Sequence, residues 1–597
     1  MIKDSLQKVI IQALRELGIE PVDFSLEHPG DLKNGDYSTN VAMKLLPSIK
    51  GFERQVKKIL GDEKAEGSVN IISTNLLESK NPKELAEKIV KRLNKNKSEE
   101  IEKIEVAGAG FINFYLSKDF YIETTKHILK LGSEWGSTDI LSEKKVMIEY
   151  TQPNPFKPFH IGHLMSNAIG ESLSRILESS GAKLIRANYQ GDVGPHVAKA
   201  IWGLQQKGMP MEDMLVSEQA QYIGVCYSYG AQKYEEDENI KKEIEAINKS
   251  VYTRDNEEIN KIYDWGRDVT LNAFELIYKT LGTKFDYYFF ESEMAPIGER
   301  IVKENPKVFV ESDGAVVFHG EEYDPKLHTR VFINSHGLPT YETKEIGLNV
   351  TKFEKENPDL SITTTAVEQA DYMKVVRKAI EQIFPDIAKR MMHVTHGMMR
   401  LASGKMASRK GNVITGESLI QESMDVVREK LAEREYTDEE KDEIARIVGV
   451  SALKYSILHQ ALGGDIVYDF DKSISFEGDS GPYLQYSVTR AMSVLKKAEA
   501  EGICASYKDV MSEITALERE LYKFTEIVER AGENYEPHHI VTYLTTLSSA
   551  FNSFYATYQV VNKNDPYSNY KVALTECFVL TMKKGLYLLG IETPNKM

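Results

Sequence analysis

One stretch restricts the fold more than any other. Residues 146–194 read VMIEYT, a proline-broken loop QPNPFKPFHIG, a helical run, and then KLIRANYQGDVG. The outer segments are apolar enough for buried strands. Between them Leu164, Ala168, Leu173, Ile176 and Leu177 fall on one helical face that ends in SSG at Gly181. Two strands joined through a helix form a βαβ unit, so they lie parallel in one sheet with the helix across its face. The loop after the first strand then sits at the carboxyl edge of that sheet, where open α/β folds bind ligands.

A chain of 597 residues is too long for a single core, and two to four domains are expected. The opening MIKDSLQKVIIQALRELG puts Leu6, Val9, Ile10, Ala13, Leu14 and Leu17 on one face and stops at Gly18, a packed helix rather than a targeting segment. GFINFYLS (110–117) reads as a strand, and the charged run 91–103 as a surface connection before it. A second charged run, 233–250, reads as a solvated helical insertion. From about 431 helical periodicity dominates, with Leu544, Leu547, Phe551, Phe554, Tyr555 and Tyr558 in one run and FVLTMKKGLYLLG (578–590) in another, which suits a helical bundle.

Composition excludes several classes. The net charge of −16 argues against a protein that coats nucleic acid, so any such contact is local. Cys226, Cys504 and Cys577 are too scattered for a disulfide framework or a zinc site, which fits a reducing, cytoplasmic setting. No apolar run approaches the roughly 18 residues of a membrane span.

The loop itself carries two histidines, His160 and His163, with Gly162 between them and a helix N-terminus beside them. There is no G-x-G-x-x-G, so the usual dinucleotide site is disfavoured. Free helix N–H groups, a glycine that lets backbone approach closely and two imidazole donors suit a triphosphate. An isolated H-x-x-H pair is also found capping a helix, and two ligands alone make a poor metal site. What favours the ligand is a second element far downstream, HVTHGMMRLASGKMASRKGN (393–412).

HIGH at 160–163 and KMASR at 405–409 resemble the two signatures of class I aminoacyl-tRNA synthetases. PNPFKPFHIGHL, NYQGDVGPHVAK, GLPTYETKEIGL, EQADYMKVV and EGDSGPYLQYSVTRA resemble the arginyl-tRNA synthetases in particular. The resemblance implies an α/β fold: a Rossmann-like parallel-sheet catalytic domain over 119–430, an N-terminal α+β added domain over 1–118 and an all-helical anticodon-binding domain over 431–597. It implies that arginine is activated with ATP, releasing pyrophosphate, and passed to the terminal ribose of tRNA(Arg). Positioning and charge stabilisation carry such chemistry.

By the same resemblance His160 and His163 stabilise the phosphates, Gly162 leaves room for the nucleotide, and Lys405 neutralises the leaving pyrophosphate. Ser408 stands where many class I enzymes have a second lysine, and Lys157, three before the first histidine, takes over that charge, with Lys410 as its rival. Glu149, Asn154, Tyr341 and Gln369 match arginine-contacting positions. Glu345 stands where the family has aspartate, one methylene longer. His396, Gly397 and Met398 resemble the adenine pocket. For tRNA, Phe111 and Asn113 match contacts to the outer corner, and Tyr483, Tyr486, Arg490 and Met597 match contacts on the anticodon side. HPGDLKNGDYSTNVAMKLL (28–46) resembles the added domain. No zinc is implied, Mg²⁺ arrives on ATP, and a monomer is expected. Other readings are a small-molecule nucleotidyltransferase, which needs neither terminal domain, and a cysteinyl-type synthetase, which needs zinc-binding cysteines. A non-catalytic tRNA-binding paralogue would be expected to lose His160, His163 or Lys405.

Overall fold

The computed structural model describes residues 2–47, 49–50, 79–402 and 415–597. They fall into two compact units. One comprises 1–133, 494–526 and 550–580, the other 134–493, 527–549 and 581–597.

In the first unit four strands, β1 (Leu26–Glu27), β2 (Tyr37–Thr39), β3 (Ile101–Ala107) and β4 (Phe111–Leu116), form an antiparallel sheet in the order β1-β2-β4-β3. The helix Ile2–Glu16 buries Leu6, Ile10, Ala13 and Leu14, the expected stripe, in the same core as Leu85, Ala86, Ile89 and Leu93 of the helix Pro82–Leu93. The charged run 91–103 is a shorter connection than expected. The helix continues to Leu93 and β3 already starts at Ile101, because Ile101 and Ile104 are apolar and turn inward. Later chain completes this unit. Arg519 reaches the buried Asp36 at 2.5 Å, and Asp36 also accepts from Tyr121 Oη and the Leu116 N–H.

The second unit is built on five parallel strands: β5 (Lys145–Glu149), β6 (Lys183–Gln190), β7 (Tyr287–Phe290), β11 (Leu360–Ala366) and β12 (Met391–His396). Their order is β12-β11-β5-β6-β7. The chain runs outward from β5 through β6 to β7, then returns to the other side of β5 for β11 and β12. The reversal point lies between β5 and β11, and at such a point the carboxyl ends of adjacent strands open a crevice. Between β7 and β11, β8 (Val310–Ser312), β9 (Ala315–His319) and β10 (Thr329–Ile333) make a small antiparallel sheet.

The charged run 233–250 is two helices rather than one solvated helix. The first ends at Glu236, and Asp237 caps the second, Glu238–Thr253, by accepting from the Asn239 N–H at 2.8 Å. Ile244, Ile247 and Val251 are buried in a core with Ile201, Trp202 and Tyr263, so the charges occupy only the outer face. Downstream of 431 the described elements are almost all helical. In the helix His538–Thr557 Leu544, Leu547, Phe551 and Phe554 are buried and Tyr555 turns outward. Among the described residues no helix is long and apolar enough to cross a membrane.

Candidate active site

The loop from β5 to the helix Ile161–Ser179 is held in a conformation its residues would not choose alone. Thr151, Gln152 and Phe156 have φ of 78°, 51° and 65°, in the left-handed region that costs L-residues about 1–3 kcal/mol each. The surroundings enforce it. Ser166 Oγ accepts from the Thr151 N–H at 3.0 Å, Asn167 Nδ2 donates to Thr151 Oγ1 at 3.0 Å, and Ser166 Oγ donates to the Thr364 carbonyl of β11 at 3.1 Å. Phe156 is fully buried against Tyr263 and the glycine face of Gly266, where a Cβ would come within 2.4 Å of its ring.

The loop delivers His160 to the start of the helix and His163 to its first turn. The His160 N–H donates to His163 Nδ1 at 3.2 Å, which leaves the other ring nitrogen of His163 as the protonated one. The two rings stack with centroids 3.4 Å apart. A Cβ at Gly162 would lie 3.0 Å from the His160 ring, so glycine keeps that edge open. Burial, then the Lys157 charge, pulls His160 down to about 4, and burial, then His160 and Lys157, pulls His163 well below its usual value. At neutral pH both are uncharged donors. Lys157 sits over the Tyr227 ring, and burial lowers its pKa, partly offset by Glu291.

A cavity of about 650 Å³ opens beside the stacked rings, lined by the carboxyl ends of four of the parallel strands and by Glu291, which directly follows the fifth. Glu149, Asn154, Tyr341, Glu345 and Gln369 line it together with His160, Gly162, His163, His396 and Met398. Lys157 instead lines a second depression, of about 820 Å³, that shares no lining residue with the first. Gly397 lies outside the lining. Its Cα backs onto the Gly464 carbonyl, 2.3 Å from where a Cβ would be. Lys405, Ser408 and Lys410 fall outside the described residues.

The cavity floor is acidic and internally paired. Glu149, 1 % exposed at the end of β5, forms an ion pair with Lys352, which is 0 % exposed, and accepts from Gln152 Nε2 at 2.7 Å. Glu291 pairs with Lys344 at 2.6 Å and Glu342 with Arg330 at 3.2 Å. Glu345, on the helix Tyr341–Glu356, receives only the Tyr372 hydroxyl at 3.4 Å among the described side chains. Burial, then the Glu149 charge, pushes it up to about 8. Asn154 Oδ1 accepts from the Gly191 N–H at 3.1 Å, and Tyr341 is 59 % exposed at the mouth. His396 Nδ1 lies 2.9 Å from the Gly397 carbonyl, and its Nε2 has no partner among the described residues.

Sequence reading missed Lys352, Glu291, Lys344 and Tyr189, whose buried hydroxyl also lacks a partner among the described residues. The only signal was a lysine within an otherwise inward-facing helical run. It missed Asp192 too, which accepts from Arg267 Nε at 2.9 Å, Ser292 Oγ at 2.7 Å and Tyr263 Oη at 3.2 Å, tying the turn after β6 to two helices.

Elsewhere, Phe111 is 43 % exposed on β4, whereas Asn113 is 1 % exposed and accepts from Ser38 Oγ at 2.7 Å. Asn113 therefore braces the sheet, and of this pair only Phe111 faces outward. On the helix Gly481–Ala500, Tyr483 is half-buried and Tyr486 exposed, and the Arg490 guanidinium lies 4.8 Å from the Tyr486 ring centre. Met597 packs partly buried against the core cluster that holds Val426, Val427 and Ile444. Among the described residues one cluster could ligate a metal, Glu536 with His538 and His539, and it is not part of the cavity lining.

Comparison with known proteins agrees along the whole chain. The family described as "tRNA synthetases class I (R), catalytic domain" matches residues 125–470, "Arginyl tRNA synthetase N terminal domain" matches 2–116 and "DALR anticodon binding domain" matches 484–597. An arginine–tRNA ligase of Fusobacterium nucleatum is 32 % identical over 100 % of this chain and 98 % of its own length. One from Clostridium perfringens is 31 % identical over 87 % of this chain and 91 % of its own. The structure of Thermus thermophilus arginyl-tRNA synthetase shares the fold with a TM-score of 0.77 at 23 % identity, each chain covered in full. These matches and the signatures around the cavity lead to one conclusion: the chain belongs to the arginyl-tRNA synthetase family of class I aminoacyl-tRNA synthetases.

Proposed function

We propose that the cavity holds arginine over its acidic floor and ATP over the stacked histidines, and that it is where this arginine–tRNA ligase forms arginyl-adenylate before transfer to tRNA. The observation that carries this is the lining itself. Five residues matched to arginine and five matched to the nucleotide or its phosphates meet in one cavity at the sheet's reversal point. Glu149, Glu345, Asn154, Tyr341 and Gln369 surround the amino acid, whose guanidinium needs planar acceptors.

The α-carboxylate of arginine attacks the α-phosphate of ATP and pyrophosphate leaves. His160 and His163, as neutral donors, hydrogen-bond the oxygens where charge builds, and Lys157 with Lys405 supplies positive charge. Gly162, Gly397, Met398, His396 and Ser408 frame the nucleotide. The 2′- or 3′-hydroxyl of the tRNA's terminal ribose then attacks the carbonyl and AMP leaves. Three of the four buried glutamates in the cavity are already paired with cations, which fits Mg²⁺ held by the phosphates of ATP rather than by a protein cage.

For tRNA(Arg), residues 1–118 offer Phe111 to the outer corner, and residues 431–597 offer Tyr483, Tyr486, Arg490 and Met597 to the anticodon side. An arginine stacked on an exposed tyrosine suits unstacked bases. Residues 119–430 hold the chemistry. The enzyme works in the cytoplasm as a monomer.

The test is ATP–pyrophosphate exchange with each of the twenty amino acids, with and without total tRNA. Exchange with arginine alone is expected, and only when tRNA is present. Exchange with another amino acid would overturn the assignment of the acidic floor.

A further inference from the structure

Five carboxylates line the cavity; Glu368 is exposed, and of the four buried ones three have their own cation. Glu149 has Lys352, Glu291 has Lys344 and Glu342 has Arg330. Glu345 has no cation within ion-pair distance among the described residues. Lys352 follows Glu345 by seven residues, two turns along the same helix, so both point to the sheet side beneath β5. A guanidinium entering this cavity finds Glu149 already engaged. Displacing Lys352 would strand a fully buried ammonium, which is far more costly than binding to the unpaired acid.

We propose that Lys352 is a positioning residue for amino-acid selection: by neutralising Glu149 it leaves Glu345 as the one buried carboxylate of the cavity without a cation among the described residues, the charge that the substrate's side-chain cation must complete. The proposal rests on the functional reading above and deepens it. It moves the discriminating charge from Glu149, at the strand end, to Glu345, where the family's aspartate is replaced by glutamate.

The groups facing Glu345 are Glu149 on β5, Tyr189 on β6, Glu291 at the start of the helix Glu291–Glu304, Tyr372 on the helix Ala370–Ile383, and, on its own helix, Lys352 and the Lys344 that pairs with Glu291. Without a cation, and with Glu149 near, Glu345 keeps a proton up to about pH 8. Arginine must expel that proton as it binds. Below that pH the apparent KM for arginine therefore falls by about tenfold for each unit of rising pH, and it levels off above. Citrulline, whose ureido group is neutral, does not displace the proton.

The experiment is arginine-dependent ATP–pyrophosphate exchange with tRNA present, run from about pH 6 to about pH 9, with KM for arginine and for ATP measured separately. The wild-type enzyme is expected to show the pH slope in the arginine KM and not in the ATP KM. Glu345→Gln should abolish the slope, raise the arginine KM by about 50-fold or more at high pH and narrow the preference for arginine over citrulline, with the ATP KM within about twofold. Lys352→Met should move the end of the slope to higher pH, since two buried acids then compete for one proton, and Lys352→Arg should restore it. A lysine that merely filled space would lower yield or kcat without moving the profile. A wild-type enzyme that exchanges with arginine but shows no slope would overturn the inference and leave the functional reading standing. So would a slope that survives Glu345→Gln, or a Lys352→Met profile ending at the wild-type pH. No exchange with arginine at any pH would overturn both.

Discussion

Two imidazoles stacked 3.4 Å apart, one donating its backbone N–H to the other's ring, behave as a single unit of neutral donors. With His160 held at about 4 by burial and by Lys157, and burial holding His163 well below its usual value, neither gains a proton between about pH 6.5 and 9. The maximal exchange rate at saturating arginine should therefore show no limb from these histidines over that range. Lys157→Ala should lower that rate by about 10²-fold without flattening the arginine KM profile, as measured by single-turnover adenylate formation. A rate unchanged by this substitution would hand the missing signature charge to Lys410. At this scale sequence revealed the histidines, because they are three apart on one chain. It did not reveal that Lys352 faces Glu149, since that contact joins a strand end to a helix some two hundred residues later and depends on strand order.

The site's precision comes from elements that brace the two loops around it. The strained turn at Thr151 and Gln152 is held by Ser166, Asn167 and the β11 carbonyl edge, while the turn after β6 is held by Asp192. Asp192 is wholly buried and accepts from Arg267, Tyr263 and both the N–H and the hydroxyl of Ser292, so Asp192→Ala leaves four donors without their acceptor. A loss of about 3 kcal/mol is expected, read as a lower Tm for the unit that contains the parallel sheet. Arginine binding should weaken with it, because Gly191, one residue earlier, holds Asn154. The βαβ unit around β5 and β6 was legible from local apolar patterning. The three short strands β8 to β10 were not, because strands of three to five residues in a polar setting carry too little periodicity. Nor was the break at Asp237, where apolar residues at helical spacing are hidden among charges.

For the molecule as a whole, the same chain contributes three separate stretches to each unit. In the first unit Glu526 receives Lys3 at 2.6 Å, His28 at 3.3 Å and Tyr37 Oη at 3.1 Å, joining the two ends of a long excursion. Burial alone would raise this acid, but its bond to His28 and the cations outweigh that and bring it down to about 2. A lowered carboxylate stabilises the fold above its unfolded pKa of about 4.5, and that stability drains away as pH falls towards about 2. Thermal unfolding of this unit should lose on the order of 2–3 kcal/mol from this residue across that window, and Glu526→Gln should remove that part of the acid sensitivity. Periodicity revealed helices downstream of 431, but which of them joins which unit is set by long-range packing that no local pattern encodes.

That interleaving has a consequence for biosynthesis. The first unit needs residues up to 580 and the second needs residues up to 597, so neither core closes while the ribosome is still in the middle of the message. A nascent chain interrupted at 490 would hold both signatures of the active site and yet have neither unit complete. Chains that stop there are therefore expected to lack a half-working form that competes for tRNA, because the sheet that carries the chemistry shares its compact unit with segments made well after it.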